Sequence, residues 1–263
     1  MNLLLAAFAA TCYLLATIGI WQGRNLSVQS SPFGAAGLVL HAWVLLLGVF
    51  DNGNLTLGVT EALSLFAWQA AFMLWIFCLF QPLQVLCLVL FPVATAAVLA
   101  SAILPTSGTA IPLSDWKIQL HVVLSLFSAG FLTLAAVQAV TLALQDRQLH
   151  RPDRGKSALA LPPLQTMERV LFQLIGLGFF MLSLSLVTGL LFVDNLLDQH
   201  LAHKTVLSCL AWVVFGVLLW GRWRWGWRGR NAIRWTLSGY ALLILAYFGS
   251  KLVLEQVLNR HWS

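Results

Sequence analysis

Eight apolar runs of about 20 residues each, separated by short polar or proline-bearing segments, decide what this chain can become. They occupy residues 3–22, 33–50, 58–80, 83–104, 118–144, 170–193, 204–221 and 235–258. At about 1.5 Å per residue, such a run crosses a hydrocarbon layer of roughly 30 Å as helix, with its backbone hydrogen bonds made internally. A closed barrel would need short strands of alternating polarity, and these runs are continuous. Only 15 Lys+Arg and 9 Asp+Glu serve 263 residues, too few to clothe a soluble domain. The expected fold is all-α: a polytopic membrane helix bundle of about eight transmembrane helices, one integral membrane domain over residues 1–263. The 3–22 run has no basic segment ahead of it and no small-residue cleavage signature, so it is expected to be a retained first span. Gln81-Pro82 predicts a tight hairpin between the third and fourth spans.

Charge gives the expected orientation. Basic residues gather at Arg24, at Arg147, Arg151, Arg154, Lys156 and Arg169, and at Arg222, Arg224, Arg228, Arg230 and Arg234. The alternate loops hold Asp51, Glu61, Asp115, Asp194, Asp198 and Glu255, with only Lys117, Lys204, Lys251 and Arg260. Across eight spans this alternation puts the basic loops in the cytoplasm and both termini outside. The pI near 9.6 therefore reflects membrane orientation, and nucleic acid is not an expected partner. Cys12, Cys78, Cys87 and Cys209 lie inside apolar runs without a CxxC pair. That argues against a disulfide framework, a zinc site or covalent haem attachment.

Topology sorts the histidines. His150 falls in a cytoplasmic loop, and His200 and His261 at or outside the external surface. His41 falls near the middle of the second span, while His121 and His203 open the fifth and seventh, both running inward from outside. The last two are thus expected at one depth near the external face. An imidazole in an apolar helix costs free energy unless paired, which makes each a functional candidate. Neutral imidazoles on facing helices suit axial ligation of haem iron; a single hydrogen bond to a neighbouring helix is the simpler alternative, and a proton relay a third. Lys251, four residues before Glu255, forms a helix-surface pair with it or meets a haem propionate, a role open to Lys204 as well. The segment Trp220-Gly-Arg-Trp-Arg-Trp-Gly-Trp-Arg-Gly-Arg230 alternates indoles with guanidiniums. It reads as an interfacial anchor, with a cytoplasmic partner or an anionic ligand as the alternative.

Several stretches resemble one family. Leu120-His-Val-Val-Leu-Ser-Leu-Phe-Ser-Ala-Gly-Phe131 resembles the helix bearing the first external haem-ligand histidine of CcsA-type cytochrome c assembly proteins. Met167-Glu-Arg-Val, His203-Lys-Thr-Val-Leu-Ser208, Gly226-Trp-Arg-Gly-Arg230 and Ala246-Tyr-Phe-Gly-Ser-Lys251 are similar to its YpjD branch, also described as HemX-like. The likeness covers residues 33–258 best. It implies a multi-pass protein of the bacterial inner membrane that binds or handles haem b and assists cytochrome c assembly or haem metabolism. Its implied partners are the lipid bilayer, haem and other maturation or membrane proteins. His121 matches the first ligand motif; His203 is the expected second iron ligand, with His41 as an alternative. The synthetases of the family also carry an external tryptophan-rich loop ending in Trp-Asp. Here the corresponding stretch, Phe192 to His203, has no tryptophan, the ligand position of the seventh helix holds Trp220, and His261 is out of register with the family's second external histidine. The resemblance thus implies a scaffold without thioether synthesis, hence a non-enzymatic protein. A second function class stays open on the residues alone: an accessory or regulatory subunit of a divalent-metal transporter, without haem.

Overall fold

A computed structural model describes residues 2–22, 32–51, 54–57, 59–80, 83–104, 109–111, 116–149, 163–192 and 199–246. Its helices are α1 (Asn2–Trp21), α2 (Pro32–Val49), α3 (Val59–Phe80), α4 (Gln84–Ile103), α5 (Trp116–Leu149), α6 (Leu164–Phe192), α7 (Gln199–Trp225) and α8 (Gly229–Ile244). They follow the eight apolar runs. Six of them, α1 and α3 to α7, contain segments long and apolar enough to cross a membrane. The apolar part of α2 is shorter, Pro32–Gly48. The eighth expected span continues to residue 258, beyond the described residues, and Gln81-Pro82 lies outside them as well.

The all-helical expectation holds for the bundle, with one small addition. Three short strands, β1 (Phe50–Asp51), β2 (Asn54–Leu57) and β3 (Thr109–Ile111), form an antiparallel sheet in the order β1-β2-β3. Leu55 pairs with Phe50 on one side and Ile111 on the other. The ladder gives partners to backbone groups where the chain leaves its helices, and it ties the α2–α3 connection to the α4–α5 connection.

The chain divides into two compact units. In the first, residues 1–115 with 149–163, α1 packs on α2 and α4, and α3 packs on α2 and α4. Small residues allow the close approach: Ala6, Ala9 and Ala10 of α1 share a buried cluster with Val44 and Val98. In the second, residues 116–148 with 164–263, α6 packs on α7 and α7 on α8. The α5–α6 pair is antiparallel, joined by Ser128 Oγ donating to the Gly178 carbonyl (3.1 Å) and Gln138 Nε2 to that of Met167 (3.1 Å). Thr133 Oγ1 and Tyr240 Oη, 3.0 Å apart, connect α5 to α8.

Candidate ligand site in the second unit

His121 sits one turn into α5, half-buried against the end of α6. Its Nδ1 lies 2.9 Å from the Ser185 carbonyl oxygen. A carbonyl can only accept, so Nδ1 carries the proton and donates it. The Thr188 hydroxyl oxygen is a second contact of Nδ1 at 3.3 Å. A neutral ring with its proton on Nδ1 keeps a lone pair on Nε2, and among the described residues no hydrogen bond engages that nitrogen. Metal-ligating histidines are held in this way, one nitrogen fixed to a carbonyl and the other offered to the metal. Serines complete the seam: Ser125 Oγ donates to the His121 carbonyl (2.8 Å) and lies 2.7 Å from Ser185 Oγ. Gly189 makes room, since a Cβ there would lie 3.0 Å from His121 Cε1.

Lys117 occupies the position four residues before His121, on the same face of α5, with Nζ 5.7 Å from the centre of the Phe192 ring. Sequence reasoning gave it no role, because the i,i+4 relation matters only once His121 is singled out. The α6–α7 pair is also antiparallel: Trp212 Nε1 donates to Ser183 Oγ (2.8 Å), and Arg222 lies over Phe172 (4.6 Å). That register, continued, brings the His203 backbone level with the last turn of α6, whereas His121 is level with Ser185. His203 thus belongs to the same end of the unit as His121. The side chain of His203 and all of Lys251 lie outside the described residues.

His41 is in the first unit and is completely buried. One ring nitrogen is 3.3 Å from Tyr13 Oη and the other 2.9 Å from Ser64 Oγ. Ser101 Oγ in turn donates to Ser64 Oγ at 3.2 Å. Each of α1 to α4 therefore contributes one side chain to a single hydrogen-bonded seam. With both nitrogens engaged, His41 would have to give up one of these bonds to reach any ligand.

The family model for cytochrome C assembly protein matches residues 29–258. The chain belongs to the cytochrome c assembly protein family. Among its relatives in this family, "Inner membrane protein YpjD" of Escherichia coli K12 is 41% identical over 137 residues, 52% of each chain. "Protein HemX" of Brevibacillus brevis is 28% identical over 131 residues, 49% of this chain and 48% of that one. "Cytochrome c biogenesis protein CcsA" of Trichormus variabilis is 24% identical over 113 residues, 42% of this chain and 32% of that one. The chain thus matches only about half the length of its nearer curated relatives here. No solved structure matches it significantly. Family membership and six candidate spans make it a multi-pass membrane protein of the cytochrome c assembly family.

Proposed function

We propose that this protein binds haem b at the His121 end of its second unit and assists cytochrome c assembly without forming thioether bonds itself. The observation that carries the reading is the His121 geometry: a ring held through Nδ1–H by the Ser185 carbonyl, with Nε2 left to ligate. Haem iron, held at this position, would supply redox or carrier chemistry; the chain's own residues orient the imidazole and fix its tautomer. His203 is the proposed second ligand. Lys117, Lys204 and Lys251 are the candidate cations for propionates. In the orientation expected from the basic loops this end faces the periplasm, and the membrane is the bacterial inner one, as the name of the Escherichia coli relative suggests.

The test is an absorption spectrum of the full chain purified from haem-replete cells, repeated for His121→Ala and His203→Ala. A Soret band in the wild type that falls several-fold in His121→Ala is the expected result. A colourless wild type would sink the haem reading. Colour that survives both substitutions would move the ligands elsewhere in the bundle.

A further inference from the structure

The turn between α7 and α8 concentrates two residue types beyond anything else in the chain. Trp220, Trp223, Trp225, Trp227 and Trp235 are five of its 12 tryptophans, and Arg222, Arg224, Arg228, Arg230 and Arg234 five of its 15 basic residues. The sequence suggests a loop here, but α7 runs on to Trp225 and α8 begins at Gly229, leaving a three-residue corner. Gly226 and Gly229 take positive φ values of 66° and 55°, a conformation that costs other residues strain. Trp227 turns inward, its ring so close to Gly221 that a Cβ there would lie 2.5 Å away. It stacks between Trp225 (5.8 Å) and Trp235 (5.5 Å), and its carbonyl accepts from Arg222 Nη1 at 3.2 Å. The corner is fixed before anything binds it.

The arginines divide into two groups. Arg222 is engaged internally, as above, and Arg230 pairs with Asp146 at 3.5 Å. Arg224, Arg228 and Arg234 are exposed, and among the described residues they make no ion pair or hydrogen bond. Beside them Trp220, Trp223 and Trp225 are 56%, 77% and 62% exposed. Exposed indoles at the end of an apolar helix suit the headgroup level of a bilayer, and guanidiniums match phosphate diesters in shape and charge. The N-terminus of α8 is not the anion site, because its first amide, Gly229 N, already donates to Glu168 Oε1 at 2.8 Å.

We propose that this corner is a preformed binding site for anionic phospholipid headgroups. Arg224, Arg228 and Arg234 take the phosphates, and the three exposed indoles seat among the adjoining glycerol and acyl chains. An acidic protein could satisfy the arginines, but it would leave the indoles at helix-end height without an apolar partner. The occupant is therefore a lipid of the leaflet around the corner.

Quenching of tryptophan fluorescence by brominated lipid tests this. The full chain is reconstituted in phosphatidylcholine vesicles containing brominated phosphatidylglycerol, and separately brominated phosphatidylcholine. The comparison is repeated for the triple variant Arg224→Gln, Arg228→Gln, Arg234→Gln, with melting temperatures recorded for both proteins. The wild type should bind the brominated anionic lipid at least about three-fold better than the zwitterionic one, as a few arginines near a membrane surface provide. The triple variant should lose that preference at an unchanged melting temperature. Equal quenching by the two lipids in the wild type, or an undiminished preference in the variant, overturns the proposal. So does a preference lost only together with the fold.

Discussion

Substitutions at a glycine, a histidine and a tyrosine separate structural from ligand roles. A Cβ added at Gly189 would press on the edge of the His121 ring at 3.0 Å, a contact that the imidazole or α6 must relieve by shifting. Gly189→Ala is therefore expected to weaken the Nδ1–H bond to Ser185, worth about 1 kcal/mol. Under the proposed haem reading, its readout is lowered haem occupancy and a shifted Soret band, with the melting temperature little changed. His41→Ala should act in the opposite way. It opens a cavity and strands the Tyr13 and Ser64 hydroxyls in the core, a loss of about 2–4 kcal/mol, measured by denaturation in detergent. Tyr13→Phe removes one of these bonds and should cost only about 1 kcal/mol. At this scale the sequence marks which histidines fall in the membrane and cannot name what they touch. Ser185 is 64 residues from His121 and Ser64 is 23 from His41; only helix register brings each pair together.

Helix packing rests on glycines that look interchangeable in the sequence. Gly178 of α6 faces α5 so closely that a Cβ would meet Leu132 Cγ at 2.6 Å, while Gly176, two residues earlier, has nothing within 4 Å. Gly178→Ala should thus force α5 and α6 apart and cost about 1–3 kcal/mol. Gly176→Ala should be neutral or mildly stabilising, since alanine is the better helix former; thermal melts of the two variants side by side decide it. Hydropathy locates every helix yet misjudges the ends. The fifth run is apolar over 118–144, but α5 continues to Leu149, and α6 starts at Leu164 rather than 170. Apolar periodicity marks only the part in hydrocarbon, whereas helix persists through Gln145-Asp-Arg-Gln-Leu149, where neither proline nor glycine interrupts it. Likewise the two-, four- and three-residue strands are too short to leave a pattern of their own.

At the scale of the whole chain, the basic stretches predict one orientation. Within the second unit, Arg230 reaches Asp146 and Gly229 reaches Glu168 at one end, while His121 meets Ser185 towards the other. Alkaline phosphatase fused after Arg154 should therefore be inactive in bacterial cells, and fused after Leu197 active. The reverse pattern would invert the bundle and put His121 on the cytoplasmic side. The charge alternation and the family are legible from residues alone. The division into two units is not, because the apolar runs look alike and their pairing is decided by side chains buried at each crossing.

The seam through Tyr13, His41, Ser64 and Ser101 bears on which sequences can replace one another. Position 41 must give a hydrogen bond on one side and accept one on the other, a demand that no apolar side chain can meet. A chimera in which α1 is exchanged for an arbitrary leucine-rich anchor would still insert, yet it would leave that imidazole half-satisfied in the core. The first helix is therefore a component matched to three others, not a tether, and drift at any of the four positions is answerable to the remaining three.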